Sequence, residues 1–139
     1  MPKVQIERLT VGEIDENCYL VVNPETGELL VIDPGAEAER IFAAIGRRKP
    51  RAVLLTHGHF DHIGAVDAVC EKYGIPVYIH EADAPKLTDM EANTGKGFGY
   101  PVTVRTIPRL LHNDEELNLA GIGLKVLHTP GHSKGSVCY

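Results

Sequence analysis

Four side chains that can bind a metal ion lie within six residues of this sequence. The hexapeptide His57–His62 reads His-Gly-His-Phe-Asp-His. Imidazole nitrogen and carboxylate oxygen are both good ligands for divalent metals, and ligands close in sequence are cheap to order. Gly58, which has no Cβ, is expected to let the backbone turn His57 and His59 toward one point. A single histidine here would more often be a packed or solvated side chain, whereas the cluster predicts a metal centre.

A further histidine occupies a similar position later in the chain. His132 lies in the turn-forming segment Thr129–Ser133, after the apolar run Leu124–Leu127. The hexapeptide also follows an apolar run, Ala52–Leu55, and the carboxyl ends of strands are where α/β folds usually place their sites. On its own His132 would be a weak indication, but the matching positions predict that it joins the hexapeptide.

The elements that would position these residues can be predicted from periodicity and turn signals. Strands are expected at Val4–Val11, Cys18–Val22, Leu29–Asp33, Ala52–Leu55, Pro76–Ile79, Val102–Ile107 and Leu124–Leu127, with the first half of another at Ser136–Tyr139. Helices are expected from Ala36 to Arg48 and from Ile63 to Tyr73, with a helical turn at Glu81–Leu87 and a long surface loop at Thr88–Pro101. This order predicts an antiparallel opening, followed by parallel strands with right-handed crossovers.

The composition limits the classes of partner. The formal charge is −5 over 139 residues, and the basic residues are scattered except at Arg47–Lys49, which argues against nucleic acid and favours a small molecule. The N-terminus lacks the apolar region of a signal peptide, and no apolar stretch is long enough to span a bilayer. Cys18, Cys70 and Cys138 are widely spaced, as is typical of reduced thiols. These features predict a cytoplasmic protein without a membrane partner.

Three segments together resemble the metallo-β-lactamase superfamily, and most closely its glyoxalase II-like (hydroxyacylglutathione hydrolase-like) hydrolases. They are His57–Gly64, Thr129–Ser136 and Asp33–Gly35, and the resemblance runs from Val4 to Tyr139. It implies an α+β fold, the αβ/βα four-layer sandwich with metals at one edge of two facing sheets. It also implies that residues 1–139 form about the N-terminal two thirds of such a domain, which would be incomplete at its C-terminus.

The resemblance also implies a ligand set. His57, His59 and His132 would hold a first metal, and Asp61 and His62 would begin the site of a second. The family's bridging Asp and final His lie downstream of the position of His132, beyond Tyr139, so the cofactor is expected to be one or two zinc ions, with iron or manganese as alternatives.

The role of Asp33 stays open at this stage. It would either support the ligands by accepting hydrogen bonds from them or merely form the turn before Pro34. His80 is more typical of a solvated loop residue than of a substrate contact. His112 and His128 are more typical of surface or strand positions than of ligands.

The expected activity is hydrolysis of an ester or thioester by a metal-bound hydroxide that Asp61, the catalytic residue, orients. The substrate would be a small acyl compound. One alternative is a non-haem iron persulfide dioxygenase, in which His57, His132 and a downstream Asp would bind the iron. Another is a non-catalytic metal- or partner-binding remnant. An incomplete sheet would leave an apolar face uncovered, and we therefore expect self-association through it.

Overall fold

The chain folds around one six-stranded sheet. The computed structural model describes residues 4–95, 97, 99 and 102–139. The strands are β1 Gln5–Val11, β2 Glu16–Val22, β3 Glu28–Ile32, β4 Lys49–Leu54, β5 Val77–His80, β6 Arg109–Leu111, β7 Glu116–Leu119, β8 Ile122–Lys125, β9 Leu127–His128 and β10 Val137–Cys138. The helices are α1 Ala38–Ile45, α2 Phe60–Ile63, α3 Val66–Tyr73 and a 3-10 helix at Ala84–Leu87. None of these helices is both long and apolar enough to cross a bilayer.

The six strands lie in sequence order, β1 to β6, within the sheet. The pairs from β1 to β3 are antiparallel, and those from β3 to β6 are parallel. The antiparallel opening and the parallel middle predicted from the sequence are therefore confirmed. Parallel order brings the carboxyl ends of β3, β4 and β5 to one edge, and the chain segments that carry Asp33 and the hexapeptide leave the sheet there.

Alternate residues of each central strand pack on opposite faces of the sheet. In β4, Val53 packs on the face that α1 and α3 cover, whereas Ala52 and Leu54 pack on the other face. Helix α1 buries Ile41 and Ile45, which lie one turn apart on one side of the helix. Part of the opposite face is covered by the β7–β8 hairpin and by β10. The described residues thus build helices, a large sheet and a second, smaller β layer, which is the predicted α+β arrangement.

The predicted strand at residues 102–107 is wrong, because β6 begins only at Arg109. The backbone N–H of Val104 donates to Leu87 O, and those of Arg105 and Thr106 donate to the carboxylate of Asp67. The alternating residues resemble a strand, but their donors are bound to a loop and to a helix rather than to a neighbouring strand.

The β7–β8 hairpin was missed, and the predicted strand Leu124–Leu127 runs together the end of β8 and the start of β9. The hairpin turns at Ala120 and Gly121, which both have positive φ, 56° and 70°. Two such residues are typical of a type I′ turn, which usually carries Asn or Asp beside Gly. Because alanine occupies the first position instead of Asn or Asp, the segment lacks the usual sequence signal for this turn.

Two further predictions need adjustment. The predicted helix Ile63–Tyr73 is split at Gly64 and Ala65 into α2 and α3. The described part of the predicted loop Thr88–Pro101 consists mainly of turns, while residues 96, 98, 100 and 101 lie outside the described residues.

Candidate metal centre

Asp33 ties the carboxyl end of β3 to that of β4, where the hexapeptide begins. Its carboxylate accepts hydrogen bonds from the Thr56 backbone N–H at 2.8 Å and from the Thr56 hydroxyl at 2.6 Å. Asp33 has a φ of 53°, a left-handed conformation that Asp tolerates better than most residues. The backbone at Gly35 also passes very close to the hexapeptide, because a Cβ on Gly35 would lie 1.8 Å from the carbonyl oxygen of Asp61. The Asp33–Gly35 segment therefore packs directly beneath the hexapeptide.

His57, His59 and His132 converge. Each offers a ring nitrogen, and these nitrogens all lie within 4.8 Å of one another. The Nδ1 atom of His59 lies 3.0 Å from Nε2 of His132. The ring centroid of His57 is 4.8 Å from that of His59 and also from that of His132. The sequence-predicted trio is therefore brought together by two loops.

The atoms of His57 test whether this trio fits a metal. Its Nδ1 contacts Thr56 Oγ1 at 3.0 Å, whereas its Nε2 is buried and has no hydrogen-bond partner within the described ranges. A buried polar atom without a partner costs about 1–3 kcal/mol. An unpaired imidazole nitrogen beside two further imidazoles is the donor set that zinc and related divalent metals prefer. The residues present therefore fit a metal ion.

The lowered pKa values of two histidines of the trio also suit a metal. Burial, with the nearby His62, lowers the pKa of His57 to about 4. Burial and the charge of Lys86 lower the pKa of His59. Since a metal binds neutral imidazole, little proton release is needed at neutral pH for these two residues.

A second group surrounds His62. Its Nδ1 lies 2.9 Å from Asp33 Oδ2 and 3.2 Å from Glu16 Oε1. Burial lowers the pKa of His62, but the hydrogen bond and charge of Asp33 outweigh it, so the net shift is upward. Asp33, His57 and His62 form the second set of side chains that could hold a metal.

Asp61 lies beside this second group. Its Oδ2 is 3.6 Å from Nε2 of His62. It belongs to neither of the two ligand sets found in the part of the chain that the structure describes. The predicted pair of Asp61 and His62 is thus adjacent, while the carboxylate nearest to His62 is that of Asp33.

The carboxylate of Glu16, a residue that the sequence did not single out, lies beside the ring of His62. Only 6% of the residue is exposed. Burial and the charges of Asp33 and Asp61 raise its pKa to about 9. Its position at the start of an apolar strand carries no sequence signal for a contact with His62.

Gly58 is needed for a different reason from the one predicted. Its φ is not positive, but a Cβ would lie 2.8 Å from Cβ of Lys86 and 3.1 Å from the carbonyl oxygen of Asp83. Close approach of the 3-10 helix segment, rather than an unusual backbone angle, requires glycine here.

The remaining histidines do not join the trio. His80, which was expected in a solvated loop, is instead 5% exposed at the end of β5 and stacks on His128 with ring centroids 4.0 Å apart. His112 is exposed and contacts Glu81 at 3.1 Å.

The geometry agrees with the comparisons to known proteins. The family model of the metallo-beta-lactamase superfamily matches residues 11–139, and the chain belongs to this superfamily. It is similar to "Probable metallo-hydrolase YqgX" of Bacillus subtilis, with 43% identity over 136 residues, 95% of this chain and 63% of the relative. It is also 31% identical to "Hydroxyacylglutathione hydrolase GloC" of Haemophilus influenzae over 96% of this chain and 65% of that protein.

Solved structures show the same fold. The crystal structure of the BLEG-1 B3 metallo-beta-lactamase matches with a TM-score of 0.89 and 39% identity, covering 96% of this chain and 65% of that one. The structure of TTHA1623 in a di-iron-bound form matches with a TM-score of 0.77 and 37% identity, covering 94% and 64%. The metallo-β-lactamase fold predicted from the motifs is therefore confirmed. The chain spans a little under two thirds of the length of these relatives.

Proposed function

We propose that this protein is a metal-dependent hydrolase of the glyoxalase II-like kind that acts on an ester or thioester. The observation that carries the proposal is the convergence of His57, His59 and His132 around the unpaired, buried Nε2 of His57. The similarity to GloC, 31% over 96% of this chain, supports the choice of a thioester.

The histidine trio and the residues around His62 would have different roles. His57, His59 and His132 would hold the first metal, and Asp61 with His62 would begin the site of a second. When bound, a divalent metal supplies Lewis acidity and lowers the pKa of a coordinated water. Asp61, 27% exposed at its side chain, would accept a hydrogen bond from the attacking water and orient it. Asp33 would fix the ring of His62 by accepting a hydrogen bond from its Nδ1.

The leaving group favours a thioester over an amide. A thiol has a pKa of about 8.5 and leaves as a thiolate without strong acid catalysis, whereas an amine needs a proton. The proposed substrate is therefore a small acyl thioester or ester. A cytoplasmic location is part of the proposal and is consistent with three free cysteines.

The metal is proposed to be zinc, as one or two ions, with iron or manganese as alternatives. Iron is supported by the similarity to TTHA1623 in a di-iron-bound form, and it makes a persulfide dioxygenase the second candidate. The iron ligands expected for this alternative were His57, His132 and a downstream Asp. Within the described residues, the Asp33, His57 and His62 set also has the two-His, one-carboxylate composition of such sites. Against it, both oxygens of Asp33 already accept hydrogen bonds, from Thr56 and His62.

The test compares metals and substrates on the same protein. The chain is loaded with zinc or iron and assayed with a hydroxyacyl thioester of glutathione, other acyl thioesters, an oxygen ester and, with oxygen uptake, glutathione persulfide. We expect thioester hydrolysis by the zinc form, lost in His132→Ala and kept in His112→Ala, whose side chain is exposed.

Three outcomes discriminate between the candidates. Hydrolysis that depends on His132 supports the proposal. Oxygen uptake by the iron form without hydrolysis would replace it by the dioxygenase. Neither activity in a protein that binds metal tightly would favour the non-catalytic role.

A further inference from the structure

Asp83 is a fully buried carboxylate between two loops. It lies three residues after the end of β5, at the sheet edge that carries the hexapeptide, and its relative exposure is 0%. The loops it separates are the hexapeptide loop, Thr56–His59, and the His132 loop, Thr129–Ser136. Burying a carboxylate costs free energy unless it is paired and hydrogen bonded, so the groups that contact Asp83 determine whether it can be buried.

Both loops donate hydrogen bonds to this carboxylate. The Gly58 N–H donates to Oδ2 at 2.7 Å, and the Gly135 N–H donates to Oδ1 at 2.7 Å. The Ser133 hydroxyl lies 2.6 Å from both oxygens. Lys86 Nζ is 3.3 Å from Oδ1 and also donates to Ser133 Oγ. One side chain thus holds residues that are 25, 50 and 52 positions away in sequence.

Two glycines allow the loops to approach so closely. A Cβ on Gly135 would lie 2.5 Å from the backbone nitrogen of Asp83 and 2.7 Å from its Cβ, and a Cβ on Gly58 would meet Lys86. The three residues that donate to Asp83 from these loops lie close to the histidines in sequence. Gly58 stands between His57 and His59, Ser133 directly follows His132, and Gly135 lies three residues after it. A shift of either loop on Asp83 would therefore move a ligand.

The carboxylate is well satisfied in its ionised form. Burial raises the pKa of Asp83, but the hydrogen bonds from Ser133, Gly58 and Gly135 and the charge of Lys86 outweigh it, and the net shift is downward. All these donors need an acceptor, which an ionised carboxylate supplies with both oxygens.

We propose that Asp83 is a positioning residue that clamps the hexapeptide loop to the His132 loop and so sets the distance between His59 and His132. The inference rests on the proposed function in one respect, that the three histidines bind a metal. It adds that the affinity of this site depends on a carboxylate that is not a ligand.

Metal affinity of the folded apoprotein is the readout, with Co²⁺ as the probe because its visible absorption reports the ligand geometry. Asp83→Asn keeps the shape of the side chain but turns one acceptor into a donor that faces a backbone N–H. We expect the dissociation constant for the first Co²⁺ to rise about 10- to 100-fold, the usual cost of losing an outer partner of a metal site. Ser133→Ala, which removes one donor, is expected to give a smaller rise in the same direction.

Asp67 provides a matched control. Its carboxylate accepts hydrogen bonds from Arg105 N–H at 2.9 Å, Thr106 N–H at 2.9 Å and the Thr106 hydroxyl at 2.6 Å, and so ties α3 to another segment. Asp67→Asn is expected to lower the melting temperature but to leave Co²⁺ affinity within about twofold. Near-UV circular dichroism selects the temperature at which each variant is folded, and Ser133→Ala carries the test if Asp83→Asn does not fold.

The outcomes separate this inference from the proposed function. Weaker Co²⁺ binding in Asp83→Asn or Ser133→Ala, with Asp67→Asn unchanged, supports the clamp. Wild-type affinity in the folded Asp83 and Ser133 variants would overturn the clamp alone. A wild-type protein that gives no histidine-dependent Co²⁺ spectrum would overturn the proposed function and the clamp with it.

Discussion

His59 Nδ1 lies 3.0 Å from His132 Nε2, although 73 residues separate them in the chain. Two nitrogens bound to one tetrahedral zinc at the usual bond length are about 3.3 Å apart. The two imidazoles therefore already stand close to the separation that a shared metal requires. Most of the ordering that chelation demands is supplied by folding, because the strands and loops that carry the rings are fixed by hydrogen bonds elsewhere.

Asp61→Ala is expected to lower turnover far more than it lowers affinity for the first metal. Asp61 is outside the three-histidine set, and its Oδ2 lies 3.6 Å from Nε2 of His62. Loss of a group that orients the attacking water typically costs about 10²–10⁴-fold in rate. Metal titration and turnover per bound metal are measured on the same samples. Equal loss of both metals, with unchanged turnover per metal, would contradict the role given to Asp61.

Asp33→Asn distinguishes support of the ligands from simple turn formation. Asn tolerates the positive φ of 53° and can still accept from Thr56 N–H, but it no longer offers a carboxylate to His62 Nδ1. We expect the affinity for the second metal, which His62 would help to hold, to fall about 10- to 100-fold, with little loss in the free energy of unfolding. Unchanged affinity, measured by competition with a chromogenic chelator, would show that Asp33 only forms the turn.

The Asp67 carboxylate is expected to make stability depend on pH in the acid range. Burial raises the pKa of Asp67, but hydrogen bonds from Arg105 and Thr106 outweigh it, so the pKa is below its usual 3.8. A carboxyl with a lowered folded pKa stabilises the fold above the unfolded pKa, and this contribution is lost as pH falls through the folded value. Urea unfolding of the apoprotein should show Asp67→Asn less stable by about 1–2 kcal/mol at pH 7. If the difference in unfolding free energy between the wild type and Asp67→Asn does not shrink below about pH 3.8, the result contradicts this assignment.

The sheet face opposite the helices carries an apolar groove of about 430 Å³, whose walls include Ile6, Ile32 and Tyr139. Ile6 is 65% exposed on the edge strand β1. We propose that a second copy of this chain covers the groove, because β1 is an edge strand of the six-stranded sheet and can pair with the β1 of another copy beside the groove. Each 100 Å² of apolar surface removed from water contributes about 2.5 kcal/mol to such an association. Sedimentation should show concentration-dependent association that Ile6→Lys weakens. Ile107→Lys, at a residue 89% exposed outside the groove, is the control, and a wild-type monomer at all concentrations would contradict the proposal.

Local patterns were sufficient to predict the strands that precede the hexapeptide, whereas the helix predicted after it, Ile63–Tyr73, is split into α2 and α3. The buried strand before His57 and the turn residues before His132 are short-range signals, and parallel order brings the carboxyl ends of β3 and β4 to one sheet edge. His132 instead follows β9, which pairs with β10 in a separate two-stranded sheet. The mixed α and β content follows from these local features, and the convergence of the three histidines was predicted from their matching positions after apolar runs. The α+β sandwich itself was implied by the family resemblance.

Contacts between distant segments could not be predicted in the same way. Glu16 contacts His62, and Asp83 binds Gly58, Ser133 and Gly135, through register and loop packing that no local period encodes. Asp83 did have one signal, its position just beyond the carboxyl end of a parallel strand. The segment 102–107 shows the opposite error, in which a local alternation suggested a strand although Asp67 binds its backbone.

A crystal structure of the zinc-loaded protein, with anomalous diffraction at the zinc edge, tests the central claim most directly. The account predicts an anomalous peak at roughly 2.0–2.1 Å from His57 Nε2, His59 Nδ1 and His132 Nε2. These are the unpaired nitrogen and the two facing nitrogens of the trio. Zinc bound instead within the Asp33, His57 and His62 set, or no zinc at either position after stoichiometric loading, would contradict it.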